Sequence, residues 1–368
     1  MSLSAATDGE RIAPWSQHSE PHAAFPGEIL TVASEETFLA SLGWSEFFSD
    51  QLADDDDGLI PRRIAEVHRS RLSVTSLDGL IRLKISHQLN TSEFAVGDWV
   101  MVDPEDDRLV RRLERRTLLQ RRTEGRQGQQ LGAANVDTLL IVTSCNADFN
   151  VARLERYMAL ANQAETTPVI VLTKADLAPD AAEYEAQAKA LQRDLAVVVL
   201  NAKSDDAASA LVPWSGFGQT LALIGSSGVG KSTLVNALAG LSGEGSQATG
   251  GIRERDAKGR HTTTSRSLHA MAGGGWVIDT PGMRTLHVSD VQEGIEQVFS
   301  EITELAEHCR FRDCTHDHEP GCAVQAAVKS GTLAPERLAR WRVLRDENEK
   351  NTPKMTGPKG NKVLQKRR

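Results

Sequence analysis

The spacing of apolar positions changes several times along the chain. Residues 36–52 place Phe38, Leu39, Leu42, Phe47 and Phe48 at helical spacing, which predicts one short amphipathic helix closed by the acidic run 54–57. From residue 61 to about 112 short β-rich stretches follow at 63–67, 72–75, 80–85 and 97–102. Short strands so close together, broken by turn residues, predict a small barrel of OB type. Within it, Trp99 is either core or a stacking platform for a base.

After an arginine-rich connector the pattern alternates. Apolar runs at 136–143, 169–173, 196–200, 221–224 and 276–279 read as buried strands, with helices at 151–164, 180–194 and 232–241. Strands alternating with helices predict a mostly parallel α/β sheet flanked by helices. Beyond residue 288 the pattern is helical. Residues 1–34 lack periodicity and are expected to be disordered. The predicted division is an N-terminal extension (1–34), a helix and OB-fold (35–116), an α/β domain (117–287), a helical cysteine-containing domain (288–350) and a basic tail (351–368).

The strand at 221–224 runs straight into a glycine-rich turn and then a helix. Gly225, Gly230, Lys231 and Ser232 have the G-x-x-x-x-G-K-[ST] spacing of a phosphate-binding loop. Backbone N–H groups from Gly225, Ser226, Ser227, Gly228, Val229, Gly230 and Lys231 to Thr233 can then surround a polyphosphate at the positive end of a helix dipole. Lys231 would reach the β- and γ-phosphates, and the Ser232 hydroxyl would ligate magnesium.

Downstream, Asp279 and Gly282 form D-x-x-G after a strand. There a carboxylate can hold magnesium through water, and a glycine N–H can sense the γ-phosphate. Between the two lies a glycine- and charge-rich segment carrying His261, Thr262, Thr263 and Thr264. A mobile loop here could offer a threonine to magnesium, Thr263 first and Thr262 next. Upstream, Thr173, Lys174 and Asp176 end one strand, and Asn201, Ala202 and Lys203 end another. Asp176 can accept two hydrogen bonds from guanine, the Lys174 stem can pack on the ring, and the Ala202 N–H can meet O6. Adenine would leave these groups unpaired.

Three of the cysteines crowd together. Cys309, Cys314, His316 and Cys322 supply three thiolates and an imidazole, the set of a closed structural zinc site with no position left for water. A metal-free buried cluster is the alternative, and His308 and His318 are possible substitute ligands. Cys145, beside a strand end, reads as a plain buried thiol.

In this order, base-reading segments, phosphate loop, threonine loop and D-x-x-G, the motifs resemble a circularly permuted GTPase. With the preceding barrel and the following cysteine cluster, residues 35–350 resemble the family of ribosome small-subunit-dependent GTPase A. The resemblance implies GTP hydrolysis stimulated by the small ribosomal subunit, contact with ribosomal RNA, a late role in maturing that subunit, and His316 as the imidazole ligand. Two positions depart from the common GTPase pattern: Thr173 stands where many have Asn, and Asn201 where Ser is usual. Met283 follows Gly282 where Ras-like enzymes carry the glutamine that orients the attacking water. His261 is the candidate replacement, and in the resembled family a histidine at this place is proposed to assist catalysis. The other classes considered are an RNA-binding assembly factor with incidental turnover and a P-loop kinase or ATPase.

Charge refines this picture. The net charge of −8 sets the whole-chain field against indiscriminate nucleic-acid binding. Yet Arg108, Arg111, Arg112, Arg115, Arg116, Arg121, Arg122 and Arg126 cluster, and the tail adds Lys354, Lys359, Lys362, Lys366, Arg367 and Arg368. This is either a footprint for a structured polyanion or a solvated face. No run of about twenty apolar residues occurs, and the first residues, with Asp8, Glu10 and Arg11, do not read as a secretion signal. The expectation is a cytoplasmic monomer.

Overall fold

A computed structural model describes residues 35–86, 89–122, 129–240, 266–279, 289–352, 355–356 and 363–364. Instead of one helix over 36–52 there are two, α1 (Glu35–Ser41) and α2 (Glu46–Ser49). Gly43 causes the break. It sits at φ 86°, and the bonds Gly43 N–H to the Ala40 carbonyl and Trp44 N–H to the Leu39 carbonyl close a Schellman turn.

The strands β1 (Ile60–Val67), β2 (Leu72–Ser76), β3 (Gly79–Arg82) and β4 (Trp99–Asp103) lie near their expected places. The arginine-rich connector holds three further strands that its composition hid: β5 (Arg108–Arg112), then the hairpin β6 (Leu118–Arg122) with β7 (Gln129–Ala134). In β5 the buried Leu109 alternates with the exposed Arg108 and Val110, so a period of two does exist beneath the charge. The first half of β1 pairs with β4 and the second half with β2. β2 pairs with β3 and β4 with β5, and a parallel bridge from Lys84 to Arg108 links the chain just past β3 to β5. The pairings therefore run around a ring, β1–β2–β3–β5–β4–β1. Trp99 is core: it is 1% exposed, with the Trp44 ring 4.8 Å away.

The α/β part follows as β8 (Thr138–Ser144), α3 (Val151–Gln163), β9 (Thr167–Thr173), α4 (Ala181–Lys189), β10 (Ala196–Val199), β11 (Thr220–Ile224), α5 (Lys231–Leu238), β12 (Arg266–Ala270) and β13 (Trp276–Asp279). The sheet order is β10-β9-β8-β11-β13-β12-β1-β2-β3. The strands from β10 to β13 are parallel and β12 is antiparallel to β13. β12 also pairs with β1, so the N-terminal ring and the α/β sheet share hydrogen bonds. Alternate residues of the strands feed two cores: Ile141, Ile170, Ala222 and Ile278 pack with α3, while Val142, Val171, Leu221 and Val277 pack with α5.

The C-terminal helices are α6 (Gln292–Val298), α7 (Ser300–Ala306), α8 (Ala323–Ser330) and α9 (Pro335–Asn351). Buried Arg337 on α9 fastens them to α3. Its guanidinium donates to Glu155 (2.8 Å), to Glu301 (2.6 Å) and to the Leu191 and Val298 carbonyls, and it stacks over the Phe299 ring.

Buried Arg63 plays the same part at the other end. It donates to the carbonyls of Leu42, Gly97 and Asn135 and to the Thr220 hydroxyl, joining α1, the ring and β11. Burial pulls its pKa down to about 10, so the side chain stays charged at neutral pH. Part of the arginine cluster is held in ion pairs. Arg108 pairs with Asp103, Arg111 with Asp56, Arg115 with the fully buried Asp98, and Arg116 with Asp137. Four of those eight arginines are thus held in ion pairs, Arg115 nearly buried and Arg108, Arg111 and Arg116 still open to solvent.

Candidate functional site

Parallel strands deliver their C-terminal ends to one edge of a sheet, and loops there can converge on a ligand. The phosphate loop follows β11, the Lys174–Asp176 segment follows β9, Ala202 lies beyond β10, and Asp279 ends β13. Register places them side by side: Ile224 opposite Ile141, Ser144 opposite Thr173, Leu172 opposite Val199.

Sterics fix the loop at its first residue. Gly225 has φ 149°, and a Cβ there would stand 2.1 Å from the Val142 carbonyl oxygen. Val229 is buried while Ser227 and Gly228 are exposed, so the loop hangs from one apolar anchor. The Lys231 ammonium donates to the Gly225 carbonyl (2.7 Å) and to that of Ser226, drawing it across the mouth of the loop. Ser232 and Thr233 are half-buried in the first turn of α5.

Thr173, where many GTPases carry Asn, is fully buried and ties the end of β9 to the glycine-rich loop. Its hydroxyl donates to the Val229 carbonyl at 2.6 Å, with the Thr143 carbonyl 3.1 Å away. Lys174 takes a left-handed backbone (φ 58°), which turns the chain into the short helical turn Ala175–Leu177 and leaves Asp176 exposed. Asn201 accepts a hydrogen bond from the Lys203 N–H (2.9 Å), a local turn that holds Ala202, itself buried, beneath the loop at Gly230. His261, Thr262, Thr263, Gly282 and Met283 lie outside the described residues, as do 1–34 and most of the basic tail.

The cysteine cluster is a separate centre. Donor atoms of Cys309, Cys314, His316 and Cys322 lie within 4.8 Å of one another. The Cys309 and Cys322 sulfurs are 3.8 Å apart, and each is 3.5 Å from His316 Nδ1. Tetrahedral zinc with bonds of about 2.3 Å to sulfur separates its sulfurs by about 3.8 Å, so the donor set fits that ion. At Cys309, burial opposes the thiolate, but backbone N–H groups of Val324 and Ala323 outweigh it and lower the pKa. Burial pushes Cys314 up to about 12 and lowers His316, which favours the neutral imidazole that a metal takes.

Sequence reasoning missed the residues that brace this centre. The Glu319 carboxylate accepts from the N–H groups of Thr315, Asp317 and His318 and from the Thr315 hydroxyl, which holds it well below the usual carboxylate range. Gln325 and Arg342 donate to the His316 carbonyl, fixing a ligand whose backbone is left-handed (φ 61°). The spacing of Glu319 between His316 and Cys322 was the one available signal. Cys145 is buried, and burial raises its pKa, as for an inert thiol.

Residues 112–289 match the model of the RsgA GTPase family. The chain is 67% identical over 334 residues to the small ribosomal subunit biogenesis GTPase RsgA of Mesorhizobium japonicum, covering 91% of this chain and 96% of that one. The chain belongs to the RsgA GTPase family. It is also 46% identical to RsgA 2 of Vibrio parahaemolyticus, across 87% of this chain and 88% of that protein. Among solved structures it resembles YjeQ from Thermotoga maritima (TM-score 0.58, 24% identity, 78% of this chain and 98% of that one). It resembles YloQ, described as a circularly permuted GTPase, to the same degree (TM-score 0.57, 24% identity, 82% and 99%). At that identity these likenesses speak to fold, and in this chain β8 to β10 precede the glycine-rich loop that follows β11. Family membership makes this chain a GTP-hydrolysing enzyme.

Proposed function

We propose that this protein is a GTPase that acts late in the assembly of the small ribosomal subunit, slow by itself and accelerated when bound there. The observation that supports the reading is convergence: the segments that carry Asp176, Ala202, Lys231 and Asp279 all follow strands that end at one sheet edge. The near full-length relative at 67% identity bears the corresponding name.

In this reading Asp176 pairs with guanine, flanked by Thr173, Lys174, Asn201, Ala202 and Lys203. Such a site can reject adenine by roughly 10⁴–10⁵. The N–H groups of residues 225–233 and Lys231 bind the phosphates; Ser232, Asp279 and Thr263, with Thr262 beside it, hold magnesium; and Gly282 senses the γ-phosphate. Magnesium, when bound, neutralises charge developing on the phosphate oxygens. His261 orients the attacking water in place of the glutamine that Met283 cannot supply, once the small subunit is bound.

The cysteine centre holds one structural zinc. The ring of strands is an OB-type barrel, and it grips ribosomal RNA together with the zinc domain. The division at residues 116, 287 and 350 follows from these roles, and the protein works as a cytoplasmic monomer. No helix among the described residues is long and apolar enough to cross a membrane.

Cosedimentation with small subunits tests the proposal. Retention with a non-hydrolysable GTP analogue and release with GDP are expected. Equal retention with both nucleotides would refute the switch.

A further inference from the structure

The turn that carries His316 faces water. Between residues 315 and 320 only His316 is buried, while Thr315, Asp317, His318 and Pro320 are exposed and Glu319 is half-buried. Burial of apolar side chains therefore does little to set the path of the chain here. Yet His316 stands at φ 61°, a backbone region that a residue with a Cβ keeps only when its surroundings impose it. A metal ion could impose it, and so could hydrogen bonds that exist without one.

Those bonds converge on Glu319. Its Oε1 accepts from the Thr315 N–H (2.8 Å) and the Thr315 hydroxyl, and its Oε2 accepts from the N–H groups of Asp317 (3.0 Å) and His318 (3.2 Å). The two oxygens thus grip the chain on either side of His316, and the first grips the residue next to Cys314. The Glu319 carbonyl in turn accepts from the Cys322 N–H (3.3 Å). One residue outside the donor set is tied to the chain at or beside three of the four ligands. Hydrogen bonds to an ionised carboxylate are roughly twice as strong as neutral ones.

We propose that Glu319 is a positioning residue for the zinc centre: it preforms the ligand turn, so the ion meets its donors already arranged and is held more tightly than by the same four donors on an unbraced chain. This rests on the reading of the centre as a zinc site given above. Without Glu319 the ion itself would have to order the turn, and the cost of that ordering would weaken binding. A carboxylate suits the task because both of its oxygens accept, whereas an amide side chain has one acceptor oxygen. Gln325 and Arg342 hold the His316 carbonyl from α8 and α9, and Glu319 holds the flanks.

The test is competition for zinc between the full chain and a chromophoric chelator of known affinity, read as a dissociation constant. Glu319→Ala should weaken binding about 10–100-fold, the usual scale for a group that orients a metal ligand. Glu319→Gln, which keeps one acceptor oxygen, should fall between it and the native chain, and Thr315→Val, which removes the hydroxyl alone, should weaken binding least. Cobalt(II) absorption is the second readout. At saturation each variant should give the tetrahedral band of the native chain, because the four ligands are unchanged; a chain that had merely lost its fold would not. Native affinity in Glu319→Ala and Glu319→Gln would mean that the ion orders the turn, and would overturn the proposal. Should Glu319→Ala fail to fold, Glu319→Gln decides alone, since native affinity there overturns it and weakened affinity with the band intact supports it. A Cys322→Ser chain that binds zinc as tightly as the native one would overturn the zinc reading itself, and this proposal with it.

Discussion

In the loop at residues 225–230 the groups proposed to face a ligand belong to the backbone, and glycine geometry sets their direction. In the turn at 309–322 they are side chains, three sulfurs and an imidazole, and further side chains such as Glu319 and Gln325 set theirs. A site made of backbone should tolerate the loss of side chains yet fail when a Cβ is added. A site made of side chains should do the reverse.

The largest expected effect is at the cysteine centre. Cys322→Ser removes a ligand and weakens the start of α8, where the sulfur accepts from the Gln325 N–H. Metal analysis should fall from about one ion per chain to near none, with a stability loss of several kcal/mol in denaturant unfolding. Full metal content in this variant would break the comparison on that side.

Next comes Gly225→Ala, one methyl group at the other site. The Cβ meets the Val142 carbonyl and the backbone angle is strained, at a combined cost of about 3 kcal/mol by urea unfolding. Thr173→Val is smaller. It preserves shape but leaves the Val229 carbonyl without its donor, costing about 1–3 kcal/mol, with weaker GTP binding as a second readout. Smallest is Ser227→Ala. Its side chain is exposed and, in the proposed site, only its N–H faces the phosphates, so affinity and stability should change by less than about 0.5 kcal/mol. A large loss there would mean that side chains, and not the backbone, make the loop.

The same contrast explains what could be read in advance. The cysteine set and the strand–turn–helix around the glycine-rich loop were legible because fixed spacing constrains neighbours along the chain. The apolar strands β8 to β11 and the helix α3 were legible from periodicity. The strands β5 to β7 were not, because arginines at 108, 111 and 112 obscure a period that only Leu109 reveals, and Arg108 and Arg111 are taken up by ion pairs to Asp103 and Asp56. The break at Gly43 was missed because the apolar spacing continues across it. β12 was missed for a different reason: Ser267, Leu268 and His269 do alternate, but they follow a run of glycines, charges and hydroxyls that reads as loop. Contacts between distant segments, such as β12 with β1 and Arg337 with Glu155, leave no local trace in sequence.

The phosphate loop that the motif announced is thus one part of an edge assembled from β9, β10, β11 and β13, and β12 joins that edge to the N-terminal strands. The most direct measurement of the account is the GTP hydrolysis rate of the purified chain with and without small ribosomal subunits. A slow intrinsic rate that rises at least about tenfold with subunits, and that loses most of the rise in His261→Ala, is the predicted result. Equal rates with and without subunits would contradict it.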